Sequence, residues 1–214
     1  MAVIAIVNLK GGCGKSNVSV NVACELATKT SSVILIDADA QGTATHYASS
    51  NLLPVQAEHL PLEDARELDK WIRRILAMTA DYIVLDAPPH VGNVTKAIIG
   101  IADLVLVPCT PSTADLIATI PTIDLIREAR SVRSDHGPKC LLVPSRVDVR
   151  TASGRDIESA LKKFGEPLGS AVHQRSAFVD AFTAGRWIGD FAPSSSAYQD
   201  IVALTSKVKR ELSK

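Results

Sequence analysis

The sequence predicts an α/β protein, a doubly wound and mostly parallel sheet flanked by helices, in a single domain spanning 1–214. Three observations predict it. Apolar, β-branched runs recur at 2–8, 32–37, 81–86, 103–108 and 139–144, with a weaker one at 168–173, and near-continuous runs of this kind belong to strands buried on both faces. Helical patterns fill the intervals at 15–29, 63–79, 92–101, 112–133, 154–165, 176–184 and 196–212, so that strand and helix alternate with right-handed crossovers. The length, 214 residues, suits one hydrophobic core and leaves little room for a second.

Taken in order, Val3–Val7 form the first strand and run directly into a glycine-rich loop, Lys10-Gly11-Gly12-Cys13-Gly14-Lys15-Ser16, which opens the first helix. That strand is too short, and lacks the basic start, to be the core of a secretory signal. The second strand ends in Asp37-Ala38-Asp39-Ala40-Gln41-Gly42. In the helix at 63–79, Ala65, Leu68, Trp71, Ile72, Ile75 and Leu76 follow the i, i+3, i+4 spacing of a core-facing stripe. The third run delivers Asp86-Ala87-Pro88-Pro89, and the fourth ends in Pro108-Cys109-Thr110-Pro111-Ser112. The last helix carries Ile201, Leu204, Val208 and Leu212 on one stripe. With no Trp or Phe in that tail and Glu211 among its cations, the stripe reads as core packing rather than a membrane face. The preceding Ala192-Pro193-Ser194-Ser195-Ser196 is a surface loop that caps this helix through Ser195 or Ser196.

Composition narrows the class. Hydrophobic residues make up 46% of the chain, yet no apolar run approaches the roughly 18–20 residues of a membrane span. A cytoplasmic protein is expected. Cys13, Cys24, Cys109 and Cys140 have no C-x-x-C spacing, so neither zinc nor an iron–sulfur cluster is indicated, and reduced buried thiols are expected. His46, His59, His90, His136 and His173 have no ligand spacing either. Of these, His90 follows the prolines after Asp86 and is placed to touch a nucleotide-dependent segment or a partner. Twenty-three basic residues balance twenty-three acidic ones, so any nucleic-acid contact must come from a local patch.

The chemistry lies in the loop. Gly11, Gly12 and Gly14 allow left-handed backbone and let successive N–H groups approach phosphate oxygens, Lys15 adds a point charge beside the β and γ phosphates, Ser16 offers a hydroxyl to Mg²⁺, and the opening helix points its positive end at the same ligand. Cys13 at the variable loop position is a small space-filler. Asp37, Asp39 and Asp86 each stand at a strand end, where a carboxylate can hold Mg²⁺ directly or through water, or position an attacking water.

The strict phosphate-loop pattern G-x-x-x-x-G-K-[ST] fails, because Leu9 stands in place of its first glycine and a second lysine, Lys10, precedes Gly11-Gly12. In this the chain resembles the deviant Walker ATPases of the ParA/MinD superfamily, strongest at 2–17, 33–42 and 82–90 and weaker after 145. The resemblance implies ATP and Mg²⁺ as ligands, with Lys10 reaching across a homodimer to the partner's nucleotide. D-x-D-x-Q is similar to the first switch and D-x-P-P to the Walker B segment with the second switch. They make Asp39 the water-orienting residue, catalytic with Lys10 and Lys15, and place Asp37 and Asp86 with Ser16 at the metal. Residues 10–17, from Lys10 through Asn17, would hold the nucleotide, and Ser145–Thr151 resembles the region around the adenine, with Arg146 as a base contact. Asn17 replaces a second hydroxyl residue and Ala40 a proline; neither departure removes an essential charge.

The same resemblance implies slow, partner-stimulated hydrolysis. The ATP dimer of the ParA branch binds nonspecific DNA on the nucleoid, and a ParB-like adaptor on a plasmid, chromosome or protein cargo provokes turnover. The chain looks like the short, ParF-like form without the extra N-terminal DNA-binding domain of longer plasmid proteins. Arg175, Arg186, Lys207, Lys209 and Arg210, with Lys214, are the candidate DNA contacts. A MinD-like membrane-associated ATPase, or a metabolic enzyme of the dethiobiotin synthetase type, remains the alternative. Lys10 and the D-x-D-x-Q segment favour the positioning ATPase.

Overall fold

The computed structural model describes residues 1–28 and 30–214. Seven strands, β1 (Ala2–Ile6), β2 (Val33–Asp37), β3 (Gln56–His59), β4 (Tyr82–Asp86), β5 (Leu104–Cys109), β6 (Lys139–Val147) and β7 (Val172–His173), form one sheet in the order β3-β2-β4-β1-β5-β6-β7. Every pairing between them is parallel. The helices are α1 (Lys15–Leu26), α2 (Thr43–Ala48), α3 (Leu68–Leu76), α4 (Asn93–Ile101), α5 (Thr113–Val132), α6 (Ala152–Lys162), α7 (Ser176–Thr183), α8 (Ile188–Phe191) and α9 (Ser196–Leu212).

Side chains alternate along each strand and so feed two cores. Val3, Ala5 and Val7 face the layer of α3 to α6, where Trp71, Ile75, Ile98 and Ile123 pack. Ile4 and Ile6 face α1, α2 and α7 to α9, against Val18, Tyr47, Phe178 and Leu204. Each such fully buried Val, Leu or Ile contributes about 1.5–3 kcal/mol relative to exposure. Both layers are therefore needed to cover a parallel sheet, as the continuous apolar runs anticipate. Ile201, Leu204 and Val208 are fully buried, so the tail stripe packs on the core as expected. Ser195, not Ser196, accepts the capping bond, from the Tyr198 amide.

Several boundaries differ. β3 is absent from the sequence reading because Gln-Ala-Glu-His carries no apolar run: it is an edge strand, half exposed. α2 and α8 span only six and four residues, too short for periodicity to register. The expected helix at 63–79 is a 3₁₀ turn over Ala65–Glu67 followed by α3. The weak run at 168–173 yields only Val172–His173 and an isolated bridge from Leu168 to Leu142, while β6 continues to Val147 through a register shift. α1 ends at Leu26, and the predicted end of that helix at 29 lies outside the described residues.

β1 sits between β4 and β5, so the chain moves to one side of β1 for β2 to β4 and to the other from β5 onward. The crevice for a ligand lies at the carboxyl ends of the strands flanking that reversal.

Candidate functional site

The loop after β1 enters α1 at this reversal. Gly12 and Gly14 take left-handed backbone, φ 78° and 92°, and a Cβ on Gly14 would stand 2.8 Å from Ser145 Oγ. Gly11 corrects the expectation for all three glycines: it has no left-handed φ, and a Cβ there would meet only Pro89 at 4.0 Å. Gly14 caps α1 with no side-chain hydrogen bond, and the first turn has no acidic residue. The helix thus presents its first N–H groups and its positive end to the loop, the arrangement that binds phosphate.

Lys15 is buried, and its Nζ donates to the Lys10 carbonyl at 3.3 Å. The Cys13 thiol donates to the same carbonyl at 3.3 Å. Burial pushes that thiol above its ordinary pKa, with Lys15 opposing, so the sulfur packs as a protonated space-filler.

Strand register sets the carboxylates. Asp37 of β2 pairs with Asp86 of β4, and Asp86 pairs with Ile6 of β1, just before the loop. Both are 1% exposed. Burial lifts the Asp86 carboxyl to about 7 and nearby Asp37 adds to the rise, while the Ser16 and Ser19 hydroxyls and Lys15 oppose it. Ser19 Oγ lies 2.8 Å from Asp86 Oδ1 and 3.0 Å from the Lys15 carbonyl. A buried carboxylate pair beside a hydroxyl fits Mg²⁺, which takes one or two carboxylates together with ligand phosphates. Among the described residues no cluster of three or more His, Cys, Asp or Glu side chains could hold a metal alone.

Asp37 also has a task the sequence did not disclose. Its Oδ2 accepts from the Thr45 amide at 2.9 Å and hydroxyl at 3.1 Å, and its Oδ1 from the Asp39 amide at 3.1 Å. It therefore ties the segment between β2 and α2 to the sheet. Asp39 folds back on that segment, Oδ1 accepting from the Gln41 amide at 3.1 Å.

Lys10 is half exposed at the loop rim, with Nζ 3.5 Å from Asp115 Oδ1 at the start of α5. Its amide donates to Asn8 Oδ1 at 2.9 Å, and Asn8 Nδ2 reaches the Pro108 carbonyl at 2.8 Å and Thr119 Oγ1 at 3.0 Å. Buried Asn8 thus locks the loop entry to β5 and α5. The sequence reading missed it, since an asparagine ending a strand carries no signal of its own.

Arg146 has φ 52°, and its guanidinium donates to the Gly12 carbonyl at 3.1 Å. With Gly14, Ser16 and Asn17 it borders a cavity of about 580 Å³ walled by Tyr47, Phe178 and Phe182. That volume lies within the about 300–1,000 Å³ of small-molecule pockets, and an apolar wall beside a phosphate cradle suits a nucleobase. The ring of Tyr47 meets Phe182 edge-on at 4.8 Å. These aromatic residues were not foreseen, because they come from two helices brought together only by the fold.

The candidate DNA contacts do not form one patch. Arg175 is paired with Asp200 at 3.2 Å and Arg186 with Asp190 at 2.6 Å. Lys209 and Arg210 lie in the last turn of α9, and nine residues of helix place Lys209 about 14 Å along the axis from Asp200. Lys139, the first residue of β6, donates to the Glu211 carbonyl, so this end of α9 lies at the edge of the sheet opposite the loop.

The model of the CobQ/CobB/MinD/ParA nucleotide binding domain matches residues 4–188. The maintenance of carboxysome distribution protein A of Halothiobacillus neapolitanus is 31% identical over 185 residues, 85% of this chain and 84% of that protein. The chromosome-partitioning ATPase Soj of Thermus thermophilus is 29% identical over 224 residues, covering 90% of this chain and 89% of that one. Among solved structures, the ATP complex of Cyanothece McdA(D38A) superposes with a TM-score of 0.76 at 18% identity, over 100% of this chain and 96% of that chain.

Proposed function

The chain belongs to the CobQ/CobB/MinD/ParA nucleotide-binding domain family, and from that membership we propose that it is an ATPase switch of the ParA type. It binds ATP with Mg²⁺, dimerises around two nucleotides, holds nonspecific DNA in that state and positions a cargo until an adaptor on the cargo provokes hydrolysis. Names of relatives that refer to carboxysome distribution and chromosome partitioning support a protein organelle or a replicon as the cargo.

The observation that carries this reading is the placement of Lys10, half exposed on the loop rim and held only by a partly exposed ion pair while Lys15 is buried in its own site. Lys15 and the N-terminus of α1 neutralise the β and γ phosphates. Ser16 and Asp86 would hold Mg²⁺, with Asp37 behind them, and the ion would bridge and polarise phosphate oxygens. Asp39 orients the attacking water. Lys10 enters the partner's site and stabilises the charge that develops on the leaving oxygen, so dimerisation completes each catalytic site.

The test is binding to nonspecific duplex DNA with ADP, ATP or a slowly hydrolysed analogue, across a salt series, for the unaltered chain, Lys10→Ala and Lys15→Ala. ATP-dependent, salt-sensitive binding that both substitutions abolish is expected. Binding that ignores the nucleotide, or no binding in any state, would refute the nucleoid-tether reading.

A further inference from the structure

The segment that carries Asp39 is held mostly by itself. Its contacts are the turn bonds from Gln41 and Gly42 to Asp39 and the bonds of Asp37 to residues 39 and 45. Among the described residues, the one side chain from outside residues 37–45 that bonds Asp39 is His59: its Nε2 lies 2.9 Å from the Asp39 carbonyl. A carbonyl only accepts, so Nε2 carries the proton.

His59 is itself well placed to act as a post. It ends β3 in register with Asp37, so the strand pair brings it alongside the switch segment. The next residue is clamped on both sides, with the Leu60 amide donating to the Asp37 carbonyl at 2.8 Å and Trp71 Nε1 donating to the Leu60 carbonyl at 2.9 Å. The imidazole also flanks the turn. A Cβ on Gly42, whose φ is 63°, would stand 3.4 Å from His59 Nε2, so a glycine leaves the ring its place.

We propose that His59 is a positioning residue for ATP hydrolysis: by donating Nε2–H to the Asp39 carbonyl it fixes the backbone from which the Asp39 carboxylate is aimed at the attacking water. This rests on the assignment of Asp39 made above. His59 takes no part in holding the nucleotide, since it lies on the edge strand beyond β2 and outside the walls of the cavity. Its loss therefore acts on turnover and leaves binding intact. A misplacement of about 1 Å at a catalytic group can cost on the order of 100-fold in rate, so even a partial loosening of this turn is measurable.

Single-turnover ATP hydrolysis and ATP affinity, measured on the full chain, test this with His59→Leu, His59→Gln, Asp39→Ala and the double variant. Gln places an amide N–H near the position of Nε2, whereas Leu has no donor. The expected result is a fall of roughly tenfold or more in rate for His59→Leu with affinity within about twofold, recovery of most of the rate in His59→Gln, and no further loss when His59→Leu is added to Asp39→Ala. His59 is exposed, so neither substitution opens a core cavity, and both remove the ring; their difference reads the hydrogen bond alone. The proposal is overturned if His59→Leu keeps the full rate, if Gln and Leu fall together, if affinity falls in step with rate, or if the double variant loses a further factor of the same size. Asp39→Ala with an unchanged rate would overturn the Asp39 assignment and this proposal with it. An inactive Asp39→Ala beside a fully active His59→Leu would remove the His59 proposal alone.

Discussion

The ammonium of Lys10 stands 3.5 Å from the Asp115 carboxylate, so the first turn of α5 holds the loop lysine within its own protomer. The Thr110 hydroxyl, helped by Ser112 and Lys10, keeps the Asp115 carboxyl below its ordinary pKa. The pair is a charged one at neutral pH. Because Lys10 is half exposed, solvent screens the attraction and the lysine is released at little cost.

Substituting Asp115→Asn frees Lys10 while leaving a hydrogen-bonding side chain in place. ATP-dependent association should tighten by up to about fivefold, the range set by a surface ion pair of about 0–1 kcal/mol. Light scattering or sedimentation against protein concentration checks this, and weaker association would show that Asp115 supports the dimer instead.

Asp86 predicts a pH dependence of stability for the chain without nucleotide or Mg²⁺. The carboxyl titrates near 7 when folded and near 4 when unfolded, so between those values the folded state keeps a proton that the unfolded state has lost. Its contribution is therefore most favourable below about pH 4 and declines as pH rises to about 7. Asp86→Asn should be more stable than the unaltered chain at pH 8, by roughly 1.4 kcal/mol per unit of pKa separation, and the gap should close toward pH 4. Denaturant titrations of the two proteins side by side measure it, since the other titrating groups cancel in the difference.

Two loop glycines should respond oppositely to alanine. Gly14→Ala places a Cβ on a left-handed residue and 2.8 Å from Ser145 Oγ, which costs about 1–3 kcal/mol and distorts the mouth of α1. Nucleotide affinity, read by a fluorescent ATP analogue, should fall at least about tenfold. Gly11→Ala meets no close atom, and its melting temperature should stay near that of the unaltered chain.

If the free cations at the end of α9 contact phosphate, Lys207→Ala, Lys209→Ala and Arg210→Ala should each lower the salt dependence of DNA binding by a slope of about 0.9. Arg175→Ala should leave the slope unchanged, because its guanidinium is already spent on Asp200. Equal losses at all four positions would place the DNA surface elsewhere than on that helix end.

The buried parallel strands were legible because continuous Val, Ile and Leu runs admit few other readings, and the loop because Gly-Lys-Ser after such a run is chemically specific. Asp37 and Asp86 were found as strand-end carboxylates, but their adjacency comes from the β2–β4 pairing, which skips β3 in sequence. β3 itself, four residues of which only Ala57 is apolar, carried no pattern, and with it His59 stayed among the unassigned histidines. The clustering of basic residues late in the chain misled because proximity in sequence runs along a helix axis: Arg175 and Lys209 both belong to the neighbourhood of α9 yet sit toward opposite ends of it.

The central claim is that Lys10 works in its partner's site, and mixing two inactive variants tests it most directly. A Lys10→Ala protomer keeps Asp39 and an Asp39→Ala protomer keeps Lys10, so in a mixed dimer one site receives both groups only if the lysine crosses over. An equimolar mixture should recover about a quarter of the normal ATPase rate, since about half of the dimers are mixed and each has one complete site. A mixture no more active than either variant alone would contradict the account.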